Sequence, residues 1–402
     1  MTAPPASRER RLFTLPFSAA LFSVHFYFAS YFISLVQVPR VLEGEPDWLV
    51  GLVVGALGLS GMLARPVTGV LVDSGGRQRW LRVGAAATAV TFVGYALSAD
   101  PWVMLGFRLL HGVAMALFTT SLLAMVANML PERNRGVGVG VYQSANAVAQ
   151  FYAAALAVAL SAVTSFEFVF LLGAVAAGMA GLCGLLIADT PSSSRLAAAT
   201  PLRQRQWISR TGLSPAVVFL AMTTTFGAVQ AFLPLFALER DLGNVGLFYS
   251  VYAAALLASR AVSGALSDRF GRAPVVLPAL AMGSAAMLAL SMTQSQPVLL
   301  AVAVLYGLGF AAVQVTVVVI IVERTPTELL GAGMATYAMA WDIGAVLGGV
   351  LLGVLIDATS YSFGFAICAA MPAAAIAFYL ARVREAGATP AVAGEGGAGD
   401  GG

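Results

Sequence analysis

Twelve stretches of this chain are each long and apolar enough to cross a bilayer, and no soluble fold can bury that many. A helix rises about 1.5 Å per residue, so roughly 20 mostly apolar residues span the hydrocarbon core. The runs cover 13–37, 48–72, 80–98, 101–128, 137–163, 166–188, 213–238, 244–266, 274–292, 297–322, 329–356 and 361–381. Of 402 residues, 59% are hydrophobic and 10% charged, against about 25% charged in ordinary soluble chains. The expectation is an all-α membrane protein with twelve transmembrane helices. The first run is long and aromatic and lacks a small-residue cleavage site, so it reads as a helix rather than a cleaved leader. The remainder divides into an N-terminal tail (1–11), two six-helix bundles (12–188 and 213–382), a polar linker (189–212) and a Gly/Ala-rich tail (383–402) expected to be disordered.

The basic residues exclude some chemistry and orient the chain. All 22 are arginine, which removes both a P-loop lysine and Schiff-base chemistry. Cys183 and Cys368 sit alone in apolar runs, giving neither a disulfide framework nor a zinc site. With the N-terminus in the cytoplasm, 17 of the 22 arginines fall on the cytoplasmic side, two on the other and three inside helices. Positive residues stay inside, so both termini are expected to be cytoplasmic. Anionic inner-leaflet lipid accounts for the net charge of +3 without a nucleic-acid partner.

The two halves repeat. A gapless shift of 195 positions aligns Arg65 with Arg260, Gly69 with Gly264, Asp73 with Asp268, Gly76 with Gly271 and Arg77 with Arg272. It also pairs Pro39 with Pro234, Gly112 with Gly307 and Tyr142 with Tyr337. Two six-helix halves of the same orientation describe the parallel repeat of one large transporter class.

These residues resemble the major facilitator superfamily over about residues 12–382. The family pattern between the second and third helices of each half is Gly-x-x-x-Asp-Arg-x-Gly-Arg. The second half matches it fully from Gly264 through Asp268 and Arg269 to Gly271 and Arg272. The first half runs from Gly69 through Asp73 to Gly76 and Arg77, with Ser74 in place of the arginine. Each leading glycine is expected to allow close helix approach, and each aspartate to end its helix and pair with an arginine or a helix N-terminus. The resemblance implies a cytoplasmic gate at these loops; the alternative is a static loop cap. Arg65 and Arg260, two turns before the aspartates, are expected to snorkel or brace that gate. The family's helix-4 motif, Arg-x-x-Gln-Gly, appears as Arg108, His111 and Gly112. The resemblance carries a role in proton transfer to Arg108; His111 either titrates beside it or only hydrogen-bonds across helices. The antiporter motif of helix 5 lacks its proline here.

Further candidates come from polar groups in apolar helices. Asp342 is the one acid deep in a membrane run, and an intramembrane acid is a functional hypothesis by default; Arg108 or a histidine is its expected partner, with a fixed structural pair the alternative. Tyr142, Asn146 and Gln150 share a face of helix 5, flanked by Gln143. His25 lies among the helix-1 aromatics, sharing a face with Phe28 and Phe32. His25, Tyr142, Gln143, Asn146, Gln230, Tyr306, Gln314 and Trp341 form the expected substrate-binding set.

The expected function is proton-coupled efflux of a small amphipathic or weakly acidic molecule by alternating access in a bacterial inner membrane, with both bundles flanking a midplane site. Asp342 carries the proton and Arg108 binds its ionised form. The alternative is proton-coupled import of a sugar or organic acid. No cofactor or metal is expected beyond the proton gradient, and the partners are the small-molecule substrate and the lipid bilayer. One chain suffices as a monomer. Two histidines and no cysteine pair leave little for an integral membrane enzyme.

Overall fold

The computed structural model describes residues 13–73, 76–130, 135–187, 210–325 and 330–383. The expected tails and most of the linker lie outside these residues. Twelve long helices occupy the described residues: α1 (Leu15–Val41), α2 (Asp47–Asp73), α3 (Arg77–Leu97), α4 (Pro101–Met129), α5 (Arg135–Ser161), α6 (Phe166–Leu185), α7 (Arg210–Glu239), α8 (Gly246–Phe270), α9 (Ala273–Ser291), α10 (Gln296–Arg324), α11 (Leu330–Asp357) and α12 (Tyr361–Phe378). Each coincides with one apolar run, and all twelve are long and apolar enough to cross a membrane.

Local chemistry sets several helix starts. Asp100 caps α4 by accepting from the Trp102 and Val103 amides at 2.9 Å, and Pro101 fills the first position, where its missing N–H costs nothing. Ser165 and Ser360 cap α6 and α12 in the same way.

The packing repeats with the sequence. In the first half α1 packs on α5 and α6, α2 on α4, and α3 on α4 and α6. In the second half α7 packs on α11 and α12, α8 on α10, and α9 on α10 and α12. Every pair recurs six helices later, and the two seams between halves, α2–α11 and α5–α8, are exchanged by the same operation. The motif loops agree: Gly76 and Gly271 both take positive φ, 81° and 89°, a conformation open to glycine and strained for most other residues.

Among the described residues, the seam glycines are tightest towards one end. Call the end where α6 finishes and α7 begins the linker face, and the opposite end the far face. Along α2–α11, a Cβ on Gly349 would lie 2.8 Å from the Gly51 carbonyl oxygen, and one on Gly353 would lie 2.7 Å from that of Asp47. On α5–α8, a Cβ on Gly246 would run into the backbone of Ala154 and Ala155. Glycine thus lets these backbones touch towards the far face. The motif glycines near the linker face do not behave this way: a Cβ on Gly69 or Gly264 would meet nothing within 4 Å. The close approach expected at these two glycines is therefore absent among the described residues.

Candidate functional site

A cavity of about 340 Å³ lies between the halves. The first half lines it with Phe28, Tyr31 and Phe32 of α1, Arg65 of α2, Met115 and Thr119 of α4, and Asn146, Ala147 and Gln150 of α5. The second half contributes Phe226 of α7, Tyr252, Leu256 and Arg260 of α8, Gln314 of α10, and Tyr337, Ala338, Trp341 and Asp342 of α11.

Asp342 is 2% exposed and pairs with Arg65 rather than Arg108. The pair is bidentate, Nε to Oδ2 at 2.6 Å and Nη2 to Oδ1 at 3.2 Å, the planar fork an arginine offers a carboxylate. Helix depth explains the choice. Counting about 1.5 Å per residue from the far-face helix ends, Asp342 lies roughly 22 Å in, Arg65 roughly 27 Å and Arg108 only about 10 Å. Side chains also lean towards their helix N-terminus. Asp342 therefore leans to the linker face and Arg65 back towards the midplane, so the two converge, while Arg108 leans away. The same tilt corrects the expectation that Arg65 and Arg260 snorkel to the loops: both line the cavity.

Arg108 is 3% exposed and stays inside the first half, donating to the Val53 carbonyl and to Ser34 Oγ, each at 3.3 Å. His111 faces α3, where Nδ1 lies 3.2 Å from the Tyr95 hydroxyl; its buried Nε2 has no partner. Neither residue lines the cavity.

Arg260, the repeat counterpart of Arg65, donates from Nη2 to Gln314 Oε1 at 2.7 Å. No carboxylate pairs with it among the described residues. Tyr337, also on the cavity wall, stacks its ring on Phe219 at 4.6 Å.

The other expected substrate residues divide. Asn146, Gln314 and Trp341 line the cavity, and Asn146 Oδ1 is buried without a partner. Gln230 stands behind the wall, donating from α7 to the Tyr31 hydroxyl of α1 at 2.9 Å, which ties the two halves. His25 is turned to α5, with Nδ1 at 3.1 Å from the Ala145 carbonyl and Nε2 at 3.0 Å from the Tyr152 hydroxyl. Tyr142 is packed in the core of the first half. Tyr306 is buried in the second half, 2.8 Å from Thr225 Oγ1. His25 and Tyr306 spend their polar atoms on packing neighbours, and Tyr142 is buried in its own half, so none of the three lines the cavity. The side chain of Gln143 lies outside the described residues. Residues missed as site residues are Phe226, Tyr252, Tyr337 and the seam glycines; the 195-residue shift, which aligns Tyr337 with Tyr142 and Gly246 with Gly51, offered a signal for Tyr337 and for those two glycines.

At the linker face, Arg272 joins Asp268 at 2.7 Å and Glu323 of α10 by a second ion pair. These two carboxylates hold its guanidinium protonated more firmly than usual. Arg269 lies over the Phe270 ring at 5.2 Å. In the first half Arg77 donates to the Ala124 carbonyl at 3.3 Å, and its Nε is buried without a partner. The Asp73 side chain lies outside the described residues.

Comparison with known proteins agrees with this architecture. The chain is 22% identical to the staphylopine export protein of Staphylococcus aureus over 337 residues, covering 81% of this chain and 85% of that one. It is 23% identical to a multi-drug resistance efflux pump PmrA homolog of Lactococcus lactis, covering 81% and 83%. Among solved structures, a bacterial homolog of the human lysosomal transporter Spinster, in an inward-facing and occupied conformation, superposes with a TM-score of 0.76 at 15% identity, covering 92% and 96%. The Major Facilitator Superfamily profile matches residues 18–257 and 216–399. With its duplicated six-helix halves and central cavity, the chain belongs to the major facilitator superfamily and is a multi-pass membrane transporter, not an enzyme.

Proposed function

We propose that this transporter is driven by the proton gradient and exports a small amphipathic solute across a bacterial inner membrane, both termini facing the cytoplasm. Asp342 carries the proton, and Arg65 holds it ionised when the proton has left. The observation that carries this reading is the Arg65–Asp342 ion pair, which crosses from one half to the other at the cavity wall. A charge at this depth is tolerated only with a partner or water. Protonating Asp342 removes the attraction that holds α11 to α2, and so shifts the balance between states that differ in that contact. Export is supported by the two relatives, one an export protein and the other an efflux pump homolog.

A second reading, uptake of an organic acid together with a proton, is favoured by Arg260. The charged lining consists of Arg65, Arg260 and Asp342, a formal excess of one positive charge. Protonating Asp342 frees Arg65 and raises that excess, so proton and anion would bind cooperatively, the linkage a symporter uses. Proteoliposomes carrying an imposed pH gradient distinguish the readings by the sign of solute flux. Asp342→Asn is expected to abolish the response to the gradient while leaving downhill exchange. Unchanged gradient-driven accumulation in that variant refutes the assignment.

A further inference from the structure

We propose that the central cavity binds an aromatic monocarboxylate, with its carboxylate on Arg260 and its ring against Phe226, Tyr252 and Trp341. This rests on reading the cavity as the substrate site, which both directions of transport share. The argument begins with the two repeat-related arginines. Arg65 has a carboxylate partner; Arg260 has only the neutral amide of Gln314, at 2.7 Å. Its counterion is therefore missing from the described protein, and a guanidinium facing a cavity is matched by a planar carboxylate.

The surroundings select the rest of the ligand. Phe226 stacks near Tyr252 at 5.8 Å and meets Trp341 at 5.6 Å, so the second-half wall is a continuous aromatic surface beside Arg260. Rings pack offset or edge-on against such surfaces, and all three residues line the cavity. Gln314 holds the guanidinium through Nη2 at 2.7 Å, leaving the charge pre-positioned. A second negative charge on the ligand would meet Asp342, with Arg65 already taken. The site therefore favours a monoanion over a dianion, and a ring over an alkyl chain.

The test uses the full chain in nanodiscs and three probes: 2-naphthoate, its neutral isostere 2-naphthamide, and cyclohexanecarboxylate. Binding is measured by calorimetry, and each variant's fold is checked by its melting temperature. The parent is expected to bind 2-naphthoate about tenfold or more tighter than either other probe. Arg260→Gln is expected to bring the naphthoate-to-naphthamide ratio to about one while keeping naphthamide binding, which also shows that the fold survives; Arg260→Lys is expected to restore part of the ratio. Trp341→Leu is expected to weaken both naphthyl probes alike. An unchanged ratio in Arg260→Gln, or equal binding of the three probes by the parent, overturns the proposal. Selective, Arg260-dependent binding without proton-gradient-driven flux of 2-naphthoate upholds this site and counts against the proton-coupled reading. Asp342-dependent flux of other solutes with no 2-naphthoate binding does the reverse.

Discussion

Replacing Gly349 with alanine is expected to push the transporter out of the conformation described here. The new Cβ would sit 2.8 Å from the Gly51 carbonyl oxygen, where ordinary contact begins at 3.4 Å, so backbone must retreat by about 0.6 Å with no flexible side chain to absorb the move. Overpacking of this kind costs about 1–3 kcal/mol. The helix-propensity gain of alanine over glycine applies in both conformations and cancels from their ratio. The same 1–3 kcal/mol shifts a two-state balance by roughly 5–150-fold, towards the state in which the far face opens. Gly353→Ala, at 2.7 Å from the Asp47 carbonyl oxygen, acts in the same direction. Gly69→Ala and Gly264→Ala meet nothing within 4 Å here, so they leave this conformation intact and can only oppose the one that closes the linker face. The assay is the spin-label distance between exposed positions Glu45 and Glu239 on the two sides of the far face, after replacing both cysteines. Gly349→Ala should broaden that distribution to longer separations, and Gly69→Ala should not. An unchanged distribution in a folded Gly349→Ala protein would refute the reasoning.

Other substitutions test separate links. Arg65→Ala strands a carboxylate that is 2% exposed, whereas Asp342→Asn leaves an arginine that is one-third exposed at its side chain. Thermal unfolding in detergent should therefore show the arginine variant losing more, about 3–5 kcal/mol, and the double variant losing less than the sum of the two. Asp100→Ala removes two capping bonds and should cost about 0.5–2 kcal/mol by the same measurement, with transport rates unchanged. His111→Gln should leave the pH dependence of transport unaltered, since His111 faces Tyr95 away from the cavity; a shifted pH profile would return it to the coupling machinery.

The twelve spans and the duplication were legible because both are written in residue types at fixed intervals. A run of apolar residues states its own length, and Arg65…Gly69…Asp73…Gly76-Arg77 states its own register. The rotation of each helix about its axis was not legible. A helix flanked by lipid on one side and protein on the other is apolar all round, so no polar stripe marks its inner face. That is why Tyr142 and Asn146, one turn apart on α5, look alike in the sequence although only Asn146 lines the cavity. Depth was recoverable: counting residues from the helix ends and adding the tilt of Cβ puts Asp342 near the level of Arg65 and away from that of Arg108. The charges alone suggested Arg108, because charge states what an aspartate needs and not what lies within its reach.

Function in this fold resides where the repeat breaks. The shift that superposes Arg65 on Arg260 places Ala147 where the second half has Asp342, and Thr119 where it has Gln314. The cavity is thus built from two equivalent arginines with unequal partners: one neutralised across the α2–α11 seam, the other held by a neutral amide of its own half. Were both paired with acids, the cavity would carry no net charge and no preference for an anion. Were neither paired, no titratable link would join the halves. The backbone is thus symmetric while the charges are not, one arginine paired across the seam and the other held by an amide, and the proposed proton and anion roles rest on that inequality. Moving the acid to the equivalent place in the first half, as Ala147→Asp with Asp342→Ala, is expected to transfer the ion pair to Arg260 and the free cation to Arg65. The naphthoate-to-naphthamide ratio is then expected to fall, because a ring seated on Phe226, Tyr252 and Trp341 would hold its carboxylate away from the unpaired charge. A naphthoate-to-naphthamide binding ratio unaltered by that exchange would show that the charges and the ring surface act independently.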